Sequence, residues 1–203
     1  AAERLLRAAG RTTDADSPAR AQAIYRREFE QDLEGTGHPD IPPSWQGVGR
    51  DWGNLSACIP CGALSPWHPR VRALAERVWR EAGGAGLGFY GSRDSLHTYN
   101  FADLATWALI VGERARADSM LTAMLAWRSA GGGSAEMFSG VTRDWGRNPP
   151  PHTTSAAALI VLVRNCVLYD DATTLRLTVG ARDAAAHMWS RTELKPADVE
   201  TAQ

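Results

Sequence analysis

Three stretches of the sequence gather the side chains that can carry acid–base chemistry. In the first, Pro43-Ser-Trp45-Gln-Gly-Val-Gly-Arg50-Asp51-Trp52-Gly-Asn54, an ion pair sits between two tryptophans and several glycines. Apolar ring faces desolvate the Asp51 carboxylate and raise its pKa, while Arg50 lowers it, so the pattern describes an acid whose pKa can be tuned. Trp45 and Trp52, with adjacent carboxylate and amide groups, also suit a sugar, whose ring offers apolar C–H faces and hydroxyl edges. The alternative is a local Arg50–Asp51 pair with both tryptophans packing the core.

The second stretch carries Tyr90, Arg93, Asp94, His97, Tyr99, Asn100 and Asp103 into the start of a helix. In an extended chain His97 and Tyr99 point in opposite directions, so one of the two faces any cavity. His97 is expected to be structural. Tyr99 and Asn100 are the better ligand contacts, because a helix N-terminus presents free N–H groups beside them. The third stretch reads Gly131-Gly-Gly-Ser-Ala-Glu136-Met-Phe138, then Arg143-Asp144-Trp145, then Pro149-Pro-Pro-His152. Glu136 is the single carboxylate among small and apolar residues, which is what a general base or acid needs when buried. On an exposed glycine-rich loop it would be merely solvated. His152 stands just before an apolar helix, where a neutral imidazole is favoured and can hydrogen-bond a ligand, and Trp145 adds an aromatic face.

Other signals carry less. Cys58-Ile-Pro-Cys61 has the spacing of a redox dithiol, or of half a zinc site with His68 nearby, but neither the strand-to-helix junction nor four ligands accompany it, so it reads as a loop. Gly86-Leu-Gly88-Phe-Tyr-Gly91 matches the dinucleotide pattern G-x-G-x-x-G yet follows a helix and opens no βαβ unit. Asn54-Leu-Ser56 is a formal glycosylation acceptor. No metal is implied by ligand spacing, and no cofactor is expected. With 22 Lys+Arg against 23 Asp+Glu among 203 residues, the net charge of −1 offers no field for nucleic acid or an anionic membrane surface. The longest apolar run, Ala156 to Val163, is far short of the roughly 20 residues of a membrane span. No charged segment followed by an apolar one opens the chain, so no signal peptide is visible and the compartment stays open.

The elements that position these groups are mainly helical. Ser17-Pro18 starts a helix with Ile24, Tyr25, Phe29 and Leu33 on its apolar face and Gly35 as its stop; Ser65-Pro66 starts another that ends at Gly83. Thr98 or Asn100 caps a third with Phe101, Leu104, Ala105, Ala108 and Leu109, and Gly112 turns it into a fourth, giving an antiparallel hairpin. Thr154 to Leu168 is apolar on every side, which predicts a helix buried all round. Thr174 to Val179 alternates as a strand, and a short helix is expected over 182–190. Residues 35–65 and 130–152 form two long loops, and ordered loops of that length with aromatic residues are usually functional. The whole chain, 1–203, is read as a single helical domain.

The order of His97-Thr-Tyr99-Asn, a helical hairpin turning at Gly112, Ala135-Glu136 after a glycine-rich stretch, and Pro151-His152 leading into an apolar helix resembles the C-terminal half of six-hairpin (α/α)6-toroid glycosidases of the glucoamylase and α-L-rhamnosidase type. Leu162-Val-Arg164-Asn165, Leu168-Tyr-Asp-Asp171 and Leu175-Arg-Leu177 continue it, so the resemblance covers about residues 40 to 182. It implies antiparallel helical hairpins forming part of an (α/α) toroid, a short β element near 174–179, and a funnel of loops holding an oligosaccharide or glycoside. Glu136 matches the late glutamate that acts as general base, and His152 a histidine lining the sugar subsite. The partner acid is Asp51, proposed because it lies in a tryptophan-rich loop, or an acid on the missing half. An inverting pair needs carboxyls about 6.5–9.5 Å apart.

Six or seven helices fall short of the twelve a full toroid needs. The expectation is therefore a missing N-terminal half or a second chain that completes the ring, and an opening at Ala1 fits a processed or truncated half. A second reading is a polysaccharide lyase, in which Tyr99 or His97 takes a proton and Asn100 or Arg93 stabilises the developing charge. A third is a non-catalytic helical interaction subunit.

Overall fold

A computed structural model describes residues 2–47, 53–82, 86–90, 92–170 and 175–177. Its contacts group into two compact units, residues 1–77 and 78–203, and each is described by itself. Both are mainly helical, with two small antiparallel sheets in the second.

The first unit begins with α1 (Ala2–Ala8) and α2 (Thr12–Gly35), joined through Gly10 at φ +72° and tied by Arg7, which bonds Glu3 (3.0 Å) and Asp16 (3.1 Å). α2 starts six residues before Pro18. Arg11 precedes its first turn and pairs with Asp14 at 2.8 Å, while Ala15 is fully buried, so packing draws the helix past the Ser17-Pro18 start signal. The expected apolar face is corrected as well: Leu33 is buried, but Ile24 and Tyr25 are exposed.

The chain that follows carries a 3-10 turn (Asn54–Ala57) and leads to α3 (Pro69–Ala82). Ser65-Pro66 is a turn rather than a helix start, with His68 N–H donating to the Ser65 carbonyl at 2.9 Å, and Pro69 takes the first helical position, where its missing N–H is harmless. Arg77 pairs with the buried Asp40 at 2.5 Å and Arg70 donates to the His38 carbonyl, which fastens the start of this long connection to α3. Within it Ile41, Leu55, Cys58 and Leu64 are buried. The boundary between units falls inside the last turn and a half of α3.

The second unit contains β1 (Gly88–Tyr90), β2 (Ser92–His97), α4 (Tyr99–Val111), α5 (Arg114–Ala126), β3 (Met137–Ser139), β4 (Trp145–Arg147), α6 (Thr153–Val167), β5 (Leu168–Asp170) and β6 (Leu175–Leu177). β1 to β4 form an antiparallel sheet in chain order, with His97 opposite Gly88 and Met137, and Leu96 opposite Phe138. β3 and β4 lie within 130–152, which reads as a loop in the sequence. β5 pairs with β6, Leu168 opposite Leu177, so the described part of the expected 174–179 strand is a strand. The helix expected over 182–190 lies outside the described residues.

The expected α4–α5 hairpin is present. Gly112 ends α4 at φ +89°, and its left-handed backbone lets two residues turn the chain into α5. α4 packs against both α5 and α6, and every residue from Phe101 to Ile110 except Asp103 is buried, Trp107 completely. α6 corrects the expectation of burial all round. It buries Ser155, Leu162 and Asn165 along one stripe, while Ile160, Val161, Val163 and Val167 are exposed. No helix among the described residues is long and apolar enough to cross a membrane.

Candidate functional site

One end of the four-stranded sheet is held by three backbone hydrogen bonds. Thr98 N–H donates to the Glu136 carbonyl (3.3 Å), Glu136 N–H to the Asn148 carbonyl (3.2 Å), and His152 N–H to the Ser134 carbonyl (2.8 Å). They bring the β2–α4 junction, the residue before β3, the residue after β4 and the N-cap of α6 together. Asn148 sits at φ +45°, a left-handed conformation that asparagine tolerates better than most residues. From there its side-chain amide donates to Glu136 Oε2.

The side chains of His97, Tyr99, Glu136 and His152 meet at this corner. The Tyr99 ring packs near both imidazoles, edge-on to His97 at 4.6 Å between centroids and 6.1 Å from His152. Glu136 Oε1 is 3.8 Å from His97 Nε2, beyond hydrogen-bonding reach, and its side chain keeps 20% of its surface open while His97 is buried. Burial pulls the His97 pKa down to about 4, with His152 acting in the same direction and Glu136 against it. At neutral pH the imidazole in this 3.8 Å approach is therefore neutral. The contact is no ion pair.

On α4 the residues left partly open before the last position are Tyr99, Asn100 and Asp103. Asp103 is four residues after Tyr99 and three after Asn100, spacings that place it on the same side of the helix as each of them. Burial raises the Asp103 carboxyl to about 6. A carboxyl with that pKa keeps a proton in mildly acidic solution and can act as an acid.

His152 caps α6 and its Nδ1 is 2.9 Å from the Ser155 hydroxyl, which lies 2.6 Å from that of Thr98. Thr98 Oγ1 in turn reaches the Ala135 carbonyl at 2.9 Å. Sequence reasoning passed over both hydroxyls, since a threonine and a serine at helix starts read as caps. Their contact spans 57 positions and leaves no local signal.

Of the residues singled out from sequence, Tyr99, Glu136 and His152 are thus brought together, and Asn100 lies in the first turn beside them. Trp145 faces Phe138 in the β3–β4 register with 54% of its surface exposed, and among the described residues no hydrogen bond or ring contact joins it to the cluster. Trp45 belongs to the first unit. It is half exposed, packs on Phe29 at 5.8 Å, and lines a pocket of about 370 Å³ with Ile41, Pro43, Gln46 and Asn54. Arg50, Asp51 and Trp52 lie outside the described residues.

The remaining motifs find structural explanations. The Cys58 thiol is buried and pushed up to about 12, far from the thiolate a redox site needs, and Cys61 is a free exposed thiol. Gly86 is left-handed at φ +73° against Ser119 and Ala123, and a Cβ on Gly88 would fall inside the Phe101 ring. Two of the three glycines in the dinucleotide-like pattern thus answer to packing. Among the described residues no group of three or more His, Cys, Asp or Glu side chains is arranged to hold a metal ion. Comparison with known protein families, with curated proteins and with solved structures gives no match to this chain.

Proposed function

We propose that the second unit carries a carbohydrate-active site of the glycoside hydrolase type, with Glu136 as its base and Tyr99 and His152 as sugar contacts. The observation that carries this reading is a partly open carboxylate held by Asn148 at a corner walled by three rings, His97, Tyr99 and His152. A pyranose offers C–H faces to such rings and hydroxyls to the polar groups beside them. The mainly helical second unit with its α4–α5 hairpin is in keeping with part of an (α/α) toroid, to be completed by a missing half or a second chain.

Cleavage of a glycosidic bond requires a proton for the leaving oxygen and, in the inverting mode, a water activated by a second carboxylate. Glu136 activates the water in this reading. The acid in this reading is Asp103, which has in its favour a raised pKa and a place one turn beyond Tyr99 on the same helix.

The second reading, β-elimination, is favoured by the closeness of the Tyr99 ring to two imidazoles, 4.6 and 6.1 Å between centroids, which gathers the residue types that take a proton in that reaction. Product analysis separates the two. Incubation with neutral and uronate oligosaccharides is expected to release new reducing ends without absorbance in the near ultraviolet. Unsaturated products that disappear in Tyr99→Phe replace hydrolysis with elimination. Neither activity nor binding with any oligosaccharide, together with a stable complex with another protein, leaves the interaction-subunit reading.

A further inference from the structure

The hydroxyls of Thr98 and Ser155 belong to the two most deeply buried polar residues among the described ones, 1% and 0% exposed. They join His152 Nδ1, Ser155 Oγ, Thr98 Oγ1 and the Ala135 carbonyl through successive distances of 2.9, 2.6 and 2.9 Å. Three contacts must be filled by the protons of two hydroxyls and one imidazole. The Ala135 carbonyl only accepts, so it takes the single Thr98 proton. Ser155 must then supply the proton of the 2.6 Å contact, donating to Thr98. Its oxygen is left as an acceptor, and the hydrogen of the last contact comes from the imidazole.

The reverse order runs from Thr98 to Ser155 and from Ser155 to His152. It removes the Thr98 proton from the Ala135 carbonyl, in a place where Thr98 and Ala135 are both buried. We infer that Thr98 and Ser155 are positioning residues that lock His152 as the Nδ1–H tautomer, so that its Nε2 lone pair accepts a hydroxyl proton from a neutral sugar. A histidine in water prefers the other tautomer, so the arrangement is imposed by the fold. Nε2 as an acceptor, with the Glu136 carboxylate at the same corner, repels carboxylates and favours hydroxyl donors. The ligand half of this inference rests on the carbohydrate reading above, whereas the tautomer half stands without it.

The test uses the full chain labelled with 15N-histidine and long-range proton–nitrogen correlation spectra at pH 7.5, with the His152 signals assigned by their loss in His152→Gln. A protonated Nδ1 and an unprotonated Nε2 are expected. Thr98→Val, which keeps the shape and removes the hydroxyl, should convert this to a mixed or Nε2–H pattern, and Thr98→Ser should restore it. Ser155→Ala reports the same effect should the valine variant lose its near-ultraviolet circular dichroism. A wild-type Nε2–H pattern overturns the lock, as does a tautomer unmoved in a folded Thr98→Val or Ser155→Ala.

For the ligand half, binding of maltotetraose, cellotetraose, xylotetraose and tetragalacturonate is measured by calorimetry. At least one neutral tetrasaccharide is expected to bind more tightly than the uronate and to weaken roughly tenfold in Thr98→Val, as for one lost hydrogen bond. Tighter binding of the uronate overturns the ligand half. Binding of none of the four, with the tautomer as expected, overturns the carbohydrate reading and leaves the lock in place.

Discussion

α4 and α6 each bring an N-terminal end to the site, Tyr99 on one and His152 before the other, yet they are covered differently. α4 is enclosed, with nine of its residues buried. α6 carries the longer aliphatic run and leaves Ile160, Val161, Val163 and Val167 open. α4 is flanked in the chain by β2 and α5 and packs on α5 and α6, so it has neighbours on several sides. α6 packs on α4 and α5 but buries only the stripe Ser155, Leu162 and Asn165. The apolar content of a helix measures how much surface it can bury. What comes to bury it is decided by the order of elements, which single-helix periodicity does not contain.

The comparison is open to direct attack, and the largest effect is expected on α4. Trp107→Ala, at a fully buried position, should destabilise the second unit by about 3–5 kcal/mol, read as a lower midpoint in chemical denaturation. A loss near zero would mean that α4 is not the centre of that unit.

Next comes the polar end of the same helix. The Asp103 pKa is raised from 3.8 to about 6, so stability that is fully present below about pH 4 is lost as the pH climbs through 6. Asp103→Asn removes that loss. The variant should melt higher than the parent at pH 7 and with little difference at pH 4, and an unchanged gap across this range would show that the carboxyl is solvated. The neighbouring His97 works in the opposite sense: its pKa is depressed from 6.5 to about 4, so its contribution is present above pH 6.5 and is lost as the pH falls through 4.

The smallest effect is expected on the open side of α6. Ile160→Asn, at a residue 67% exposed, should change stability by no more than about 0.5 kcal/mol. A loss comparable to that of Trp107→Ala would mean that this side of α6 is covered in solution.

Much of the helical layout was legible because its ends are written in local chemistry. Gly112 and the polar start at Thr98 bound α4, and Pro69 holds the first position of α3, although Ser65-Pro66 was the stronger-looking signal. The sheet was not legible. Three of its four strands have three residues each, too short to show alternation, and Gly88 contributes no side chain to a pattern. At the site, Glu136 and His152 stood out as lone ionisable groups in apolar surroundings, and Tyr99 through its place at a helix start. His97, expected to be structural, is buried, with Glu136 3.8 Å away. The Thr98–Ser155 contact was invisible, because it depends on two distant backbone segments meeting. Asp103 has no legible role in its stretch, since its burial follows from packing rather than from spacing.

The central claim is that Glu136 is the working carboxylate of a sugar site, and the most direct measurement is release of reducing ends by Glu136→Gln beside the parent chain. The account predicts that turnover falls by roughly 10²–10⁴-fold while oligosaccharide binding is retained, since glutamine keeps the shape and loses the base. Undiminished turnover in a folded Glu136→Gln would contradict it.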